Sequence, residues 1–219
     1  MKIKYKLHIL ASLILMLILV ACQGTKTSNS NDSNEKNVAD SKLLEKLSTS
    51  KLGASNPQLL FADDSTAIIY NYSGLIVFNY EEKQIIRALD FNEMNIQVQG
   101  DDAWSIYVEE KGAIVFFEKL STGEALLYDI LKDDLSNLDS AVLEQGTLSD
   151  QYDIYNNYIE FYEGDIEHIS KDLYPISNLI QLADDTYIYL FYESDTMTLG
   201  DLKLVITSPK STDIIPIFP

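Results

Sequence analysis

The chain is expected to be mostly β, built from antiparallel four-stranded meanders that repeat along the sequence. Four observations predict this. Short runs rich in β-branched and aromatic residues follow one another from Pro57 onward, at 67–70, 74–80 and 83–90. Brief polar turns separate them, at intervals that suit hairpins rather than long crossovers. An Asp-Asp pair precedes a strand-like run at Asp63-Asp64, Asp101-Asp102 and Asp184-Asp185. Finally, 46% of the 219 residues are hydrophobic, which is enough for a packed core and unlike a disordered chain.

The elements follow in order. Lys2, Lys4 and Lys6 precede an apolar run over 7–21 that only His8 and Ser12 interrupt. A basic start, a short apolar stretch and a small residue at its end have the layout of a secretory signal peptide over 1–21. The run falls short of the roughly 20 residues that span a bilayer comfortably, and a transmembrane anchor is the competing reading. Residues 22–40 are almost wholly polar and are expected to form a flexible tether, reaching about 25 Å in coil. Leu43, Leu44, Leu47 and Leu52 then recur at helical spacing. With Asp40 or Ser41 as cap and Gly53 as stop, they predict a short amphipathic helix over 41–53. It either packs on the domain or lies on a membrane, and its stripe is short for the latter.

Residues 57–219 form the β-rich repeat domain. The doublets at 63, 101 and 184 lie 38 and 83 residues apart, the second interval being close to twice the first. The middle unit predicts strands at 95–99, 104–109, 113–119 and 124–130. One degenerate unit fits the gap, around 141–177, with its strand at 155–163. A four-stranded unit of about 40 residues matches the blade period of a propeller, and four blades is the lower limit for closure. The gap departs from the pattern, since 131–143 reads equally as a helix. A closed four-bladed propeller and an open stack or sandwich therefore both stand.

Leu19-Val20-Ala21-Cys22 closes the apolar run. This tetrapeptide resembles the lipobox of bacterial lipoproteins, with Leu three before the Cys and small residues between. The resemblance implies cleavage before Cys22, a diacylglyceryl thioether on its sulfur, and a protein held by its acyl chains on the extracytoplasmic face of the cell membrane. Two chains anchor stably where one does not. The stretch 89–101, with Leu-Asp at a strand end and Gln-Val-Gln-Gly-Asp at a turn, is similar to a blade-like extracellular segment of Gram-positive antibiotic-sensing membrane metallopeptidases. The His-Glu-x-x-His peptidase signature is absent, so no protease activity carries over.

Charge narrows the function. There are 34 acidic and 16 basic side chains, for a net charge of −18. Removing the first 21 residues, which carry three lysines and no acid, leaves 198 residues and takes the net charge to −21. Such a surface repels phosphates, which excludes a nucleic-acid binder or a polybasic membrane-surface protein. Cys22 is the only cysteine. No intrachain disulfide can form, and lipidation would leave no thiol for catalysis or metal.

Each candidate for chemistry has a structural alternative. The doublets Asp63-Asp64, Asp101-Asp102, Asp133-Asp134 and Asp184-Asp185 offer hard oxygen ligands for Ca²⁺ or an acid and a base for glycoside cleavage. Aspartate also favours and solubilises turns, and the Asp-x-Asp-x-Asp-Gly spacing of a calcium loop is missing. His168, with Ser170 and Asp172 nearby, lacks a Gly-x-Ser-x-Gly elbow and reads as a surface residue of a polar strand or loop. Tyr152, Tyr155, Tyr158 and Tyr162, and likewise Tyr187, Tyr189 and Tyr192, suit glycan stacking or a protein interface, against packing across strands. Trp104 reads as a core anchor at a strand start. Asn71-Tyr72-Ser73 is formally a glycosylation sequon.

No catalytic, cofactor-binding or metal-binding residue is therefore assigned; Cys22, as lipidation site, is the one site residue. The expected function is a surface-anchored, non-catalytic interaction or sensor module. Its partners are the membrane, through the N-terminal lipid, and a membrane or cell-wall protein. The rival is a carboxylate-dependent enzyme on cell-wall or extracellular glycan, which needs two carboxylates about 5–9 Å apart in a cleft. A solute-binding component of a transporter ranks last, since alternating βα units are missing.

Overall fold

The computed structural model describes residues 39–51, 57–138, 148–159, 161, 166–183, 185–193 and 198–218. All belong to one compact unit, Asn37–Pro219. Cys22, the apolar run and nearly all of the tether lie outside the described residues. Among these residues no helix is long and apolar enough to cross a membrane.

The protein is mostly β, with thirteen strands in three antiparallel sheets among the described residues. Sheet I is the meander β1 (Gln58–Ala62), β2 (Thr66–Tyr70), β3 (Gly74–Asn79) and β4 (Gln84–Asp90). Sheet II is the meander β5 (Trp104–Val108), β6 (Ile114–Lys119), β7 (Glu124–Asp129) and β8 (Asp134–Asn137). Sheet III runs in the spatial order β13 (Thr212–Pro216), β12 (Leu202–Thr207), β11 (Thr186–Tyr192), β10 (Leu179–Ala183) and β9 (Tyr158–Ile159).

The turns show why these runs pair locally. Asp63 Oδ1 accepts from the backbone N–H of Ser65 at 2.9 Å and of Thr66 at 2.7 Å, which folds β1 back onto β2. Asn71 Oδ1 does the same for Ser73 and Gly74 between β2 and β3. Three later hairpins, β3–β4, β6–β7 and β7–β8, share one four-residue connection. Each has a left-handed residue in last place: Lys83, Gly123 and Asp133, at φ 54°, 70° and 55°. That residue absorbs the twist mismatch between the turn and its strands.

Sheet I sits between the other two. Ile69, Ile76 and Phe78 pack with Ile188, Leu190 and Leu204 of sheet III. Ile68, Leu75 and Val77 pack with Val108, Val115 and Phe117 of sheet II. Successive residues of a strand point to opposite faces, so β2 and β3 must be apolar throughout, and β3 is buried from Gly74 to Phe78. A third cluster covers the far face of sheet III, where Ile159, Phe161, Ile166 and Ile169 lie over Leu179, Tyr189 and Val205.

Helix α1 (Ser41–Ser48) docks on this body. Asp40 caps it, accepting from the N–H of Lys42 at 2.7 Å. Leu47 enters the core over Gly74, where a Cβ would collide with the Leu89 carbonyl. Lys46 pairs with the Asp90 carboxylate at the end of β4, whose side chain is 2% exposed. Burial raises that carboxyl's pKa, but the Lys46 hydrogen bond and the Asn92 backbone N–H outweigh it and hold it below the usual carboxylate range. The helix thus packs on the domain, and it ends at Ser48 rather than near Gly53, which lies outside the described residues. The polar tether also stops short of Asp40: Ala39 donates to the Ile85 carbonyl and packs against the core.

The repeat has a different frame from the one the doublets suggest. Asp63-Asp64 lies between the first two strands of sheet I, whereas Asp101-Asp102 precedes the first strand of sheet II. Residues 95–99 form turns and bends, not a strand, and the fourth strand of sheet II is β8. The helix considered for 131–143 is accordingly replaced by a turn and β8 over its described part. No fourth sheet occurs among the described residues. Among the described residues of the strand expected at 155–163, β9 forms and joins sheet III, while 160, 162 and 163 lie outside them. Helix α2 (Leu148–Gln151) and a 3-10 turn (Lys171–Leu173) flank it. The described apolar residues here cover faces that already exist, as Tyr152 does on Phe116 with ring centroids 4.4 Å apart.

Candidate binding cavity

The innermost strand of sheet I, β1, would be an open edge, because only β2 pairs with it in the sheet. Its backbone groups need partners. A strap of chain over 153–159 provides them. It starts alongside sheet II, where Tyr155 N–H donates to the Val108 carbonyl at 2.8 Å and Glu110 N–H to the Asp153 carbonyl at 2.7 Å. It finishes as β9 on sheet III. On the way the Tyr155 hydroxyl donates to the Ala62 carbonyl at 3.3 Å, and the Tyr158 hydroxyl to the Leu60 carbonyl at 2.6 Å. From the start of β10, Asn178 completes the edge. Its Nδ2 donates to the Leu59 carbonyl at 2.8 Å and its Oδ1 accepts from the Leu59 N–H at 3.2 Å, so one side chain mimics a paired strand.

Where strap, β1 and β5 meet, a cavity of about 450 Å³ opens. That volume lies within the range of small-ligand sites. Its apolar surface comes from Leu59, Leu60, Ile106 and Ile154, and its rings are those of Tyr70, Tyr107, Tyr155 and Tyr158. Gln58, Asn156 and Asn178 add side-chain amides, and among the described residues no lysine, arginine, histidine or carboxylate lines it. Tyr155 and Tyr158 stand perpendicular, with centroids 5.8 Å apart at 84°. Phe61 holds Tyr155 from behind, edge-on at 4.8 Å, and itself rests on Gly112, where any Cβ would enter its ring. Burial raises the Tyr70 and Tyr155 hydroxyl pKa values and pushes Tyr158 to about 12. All three stay neutral at ordinary pH.

The carboxylate doublets are elsewhere. Asp63 shapes a turn, Asp102 accepts from the Ser121 hydroxyl at 2.9 Å, and Asp133 accepts from the Tyr128 hydroxyl at 2.6 Å. Of the doublet residues only Asp185 lines a described cavity, and Asp184 lies outside the described residues. Among the described residues no three His, Cys, Asp or Glu side chains converge as metal ligands do.

His168 is not a plain surface residue. It shares that second cavity, also about 450 Å³, with Glu167, Asp185 and Tyr187. Its ring lies 5.6 Å from that of Tyr187 at 36°, and its Nε2 is buried without a partner among the described residues. Ser170 accepts from the Asp172 N–H at 3.2 Å as the cap of a 3-10 turn, which gives that pair a structural task. Asn71 is buried at 2% exposure, so the sequon offers no accessible amide. Trp104 does anchor β5 in the core.

Of the tyrosine rows, Tyr155 and Tyr158 reach the cavity, Tyr152 and Tyr189 pack internally, and Tyr162 lies outside the described residues. Tyr70, Tyr107 and Asn178 were not singled out from the sequence. No local signal marks them, because the cavity joins residues from five separate stretches of chain.

No family model matches the chain, and no curated protein matches it. It is similar to solved structures of Hsv2 from Kluyveromyces lactis. With the form whose loop 6CD is complete, identity is 10% over 70% of this chain and 42% of that one, at a TM-score of 0.23. With the form whose loop 6CD is replaced by a Gly-Ser linker, identity is 8% over 73% of this chain and 49% of that one, again at 0.23. The chain spans less than half the length of these structures.

Proposed function

We propose that the chain is a surface lipoprotein, held at the extracytoplasmic face of the cell membrane through Cys22, whose β domain binds a ligand or partner and does no chemistry on it. The observation that carries this reading is the cavity between strap, β1 and β5. It is lined by tyrosines, amides and aliphatic side chains, and among the described residues it holds neither a carboxylate nor a histidine nor a cysteine to act as acid, base or nucleophile. The lipobox at 19–22 and the basic, apolar leader support the anchor. The doublets at 63–64, 101–102 and 133–134, dispersed over separate hairpins and turns, weigh against the rival glycan hydrolase.

Two measurements test the reading. Wild-type protein should partition into the detergent phase of Triton X-114 and carry a diacylglyceryl mass on Cys22, while C22A should move to the aqueous phase. Detergent-phase recovery of C22A would remove the anchor. Cross-linking on intact cells should capture a reproducible partner. Release of soluble reducing sugar from purified cell-wall glycan, abolished by an Asp→Asn change in a doublet, would instead establish the enzyme.

A further inference from the structure

We propose that the cavity between strap, β1 and β5 takes a small organic cation with an alkyl shell, of the quaternary-ammonium type, against the rings of Tyr70, Tyr107, Tyr155 and Tyr158. This rests on the reading of the chain as a binding module and names the chemistry of what it binds.

Polar capacity comes first. The hydroxyls of Tyr155 and Tyr158 and the amide of Asn178 already serve the β1 backbone. What these residues offer the cavity is ring and carbon surface rather than hydrogen bonds. A sugar entering it would lose water from many hydroxyls and regain few partners, which is unfavourable. Shape is the second point. Two rings at 84° make a corner. A flat partner can stack on only one of them, whereas a round one touches both.

Charge then separates a cation from a neutral apolar group. No cationic side chain lines the cavity, and the chain carries −18 overall. The Asp63 carboxylate is close enough to act on the Tyr155 hydroxyl. An anionic protein raises the local concentration of cations, and the electron-rich faces of aromatic rings attract them. An alkylated ammonium also needs no hydrogen-bond acceptors, which matches a cavity where the Tyr155 and Tyr158 hydroxyls and the Asn178 amide are already engaged.

The test uses the full-length chain in polyoxyethylene-ether micelles and titration calorimetry with three probes. These are choline chloride, its neutral isostere 3,3-dimethyl-1-butanol, and N,N′-diacetylchitobiose. Choline should bind at least tenfold more tightly than the isostere and weaken as salt rises. Tyr107→Leu keeps apolar area, removes a ring, and touches no β1 backbone bond; it should lower choline affinity at least tenfold without changing Tm. Equal binding of choline and the isostere, unchanged affinity in Y107L, preference for the sugar, or no binding of any probe would each overturn the proposal. The detergent partition and cell cross-linking remain independent of these outcomes, so loss of the cation does not by itself remove the binding module.

Discussion

Sheets I and II are both four-stranded meanders closed by similar turns, yet they live in different surroundings. Sheet I has a neighbour on each face, and its outer strand β4 is clamped by α1 through Lys46 and Asp90. Sheet II packs one face on sheet I and ends in β8, every residue of which is exposed. Leu120, Leu131 and Leu135 stand out at its turns and edge at 68%, 78% and 40% exposure. The same local grammar therefore produces an interior layer and a half-solvated one, and burial sets how much each side chain matters.

The largest test of that contrast is truncation. Phe78→Ala should cost about 3–5 kcal/mol in urea denaturation, as deleting a fully buried aromatic does. Leu135→Ala on β8 should stay within about 0.5 kcal/mol. Equal losses would mean the two sheets are equally buried in solution. Next comes Gly74→Ala, where the new methyl meets the Leu89 carbonyl and Leu47. It should cost about 3 kcal/mol, the upper end of overpacking. Gly123→Ala in sheet II meets nothing, and only its left-handed backbone, φ 70°, resists, at about 1 kcal/mol.

Third is the α1 clamp. The Asp90 carboxyl titrates lower when folded than when unfolded. Its contribution is therefore present above the unfolded value near 3.8 and disappears as pH falls through the lower folded value. Asp90→Asn should reduce stability at neutral pH and flatten the loss below pH 4, read from Tm against pH. A parallel, shifted curve would show that the pair contributes nothing pH-dependent. Fourth, Tyr158→Phe removes the donor to the Leu60 carbonyl and should cost about 1 kcal/mol. It should also delete one phenol titrating near pH 12 in ultraviolet absorbance. Because that phenol's folded value is raised, its share of stability is complete below the unfolded value near 10 and fades as pH climbs through 12. Smallest is Asp102→Ala, which loses the Ser121 hydrogen bond at 2.9 Å and a 3.7 Å contact with Lys119, both at an exposed carboxylate. It should change stability by less than about 0.5 kcal/mol.

Sheet I was legible because each of its signals is local. The runs at 67–70, 74–80 and 83–90 coincide with β2, β3 and β4 within one residue at each end. The doublets misled for a physical reason. Aspartate suits any turn, so Asp101 before β5 looks in sequence like Asp63 after β1. The segment after 138 misled because its aromatic residues cover neighbouring sheets, and covering has no fixed period. The cavity was illegible altogether, since Tyr70, Tyr107, Tyr155 and Asn178 are neighbours only through three sheets and a strap.

The sequence by itself determined the local pairing, a short helix capped at Asp40 or Ser41 and the acidic composition, and its lipobox-like tetrapeptide sets the expectation of an anchor at Cys22. These depend on contacts within a few residues or on composition, and both can be read along the chain. The tertiary structure alone decided that sheets number three among the described residues, that sheet I lies innermost, and that β1 borrows its missing partners from Tyr155, Tyr158 and Asn178. Those choices turn on which distant surfaces exclude water together and which backbone groups would otherwise stay unpaired, and such energies exist only once the chain has closed on itself.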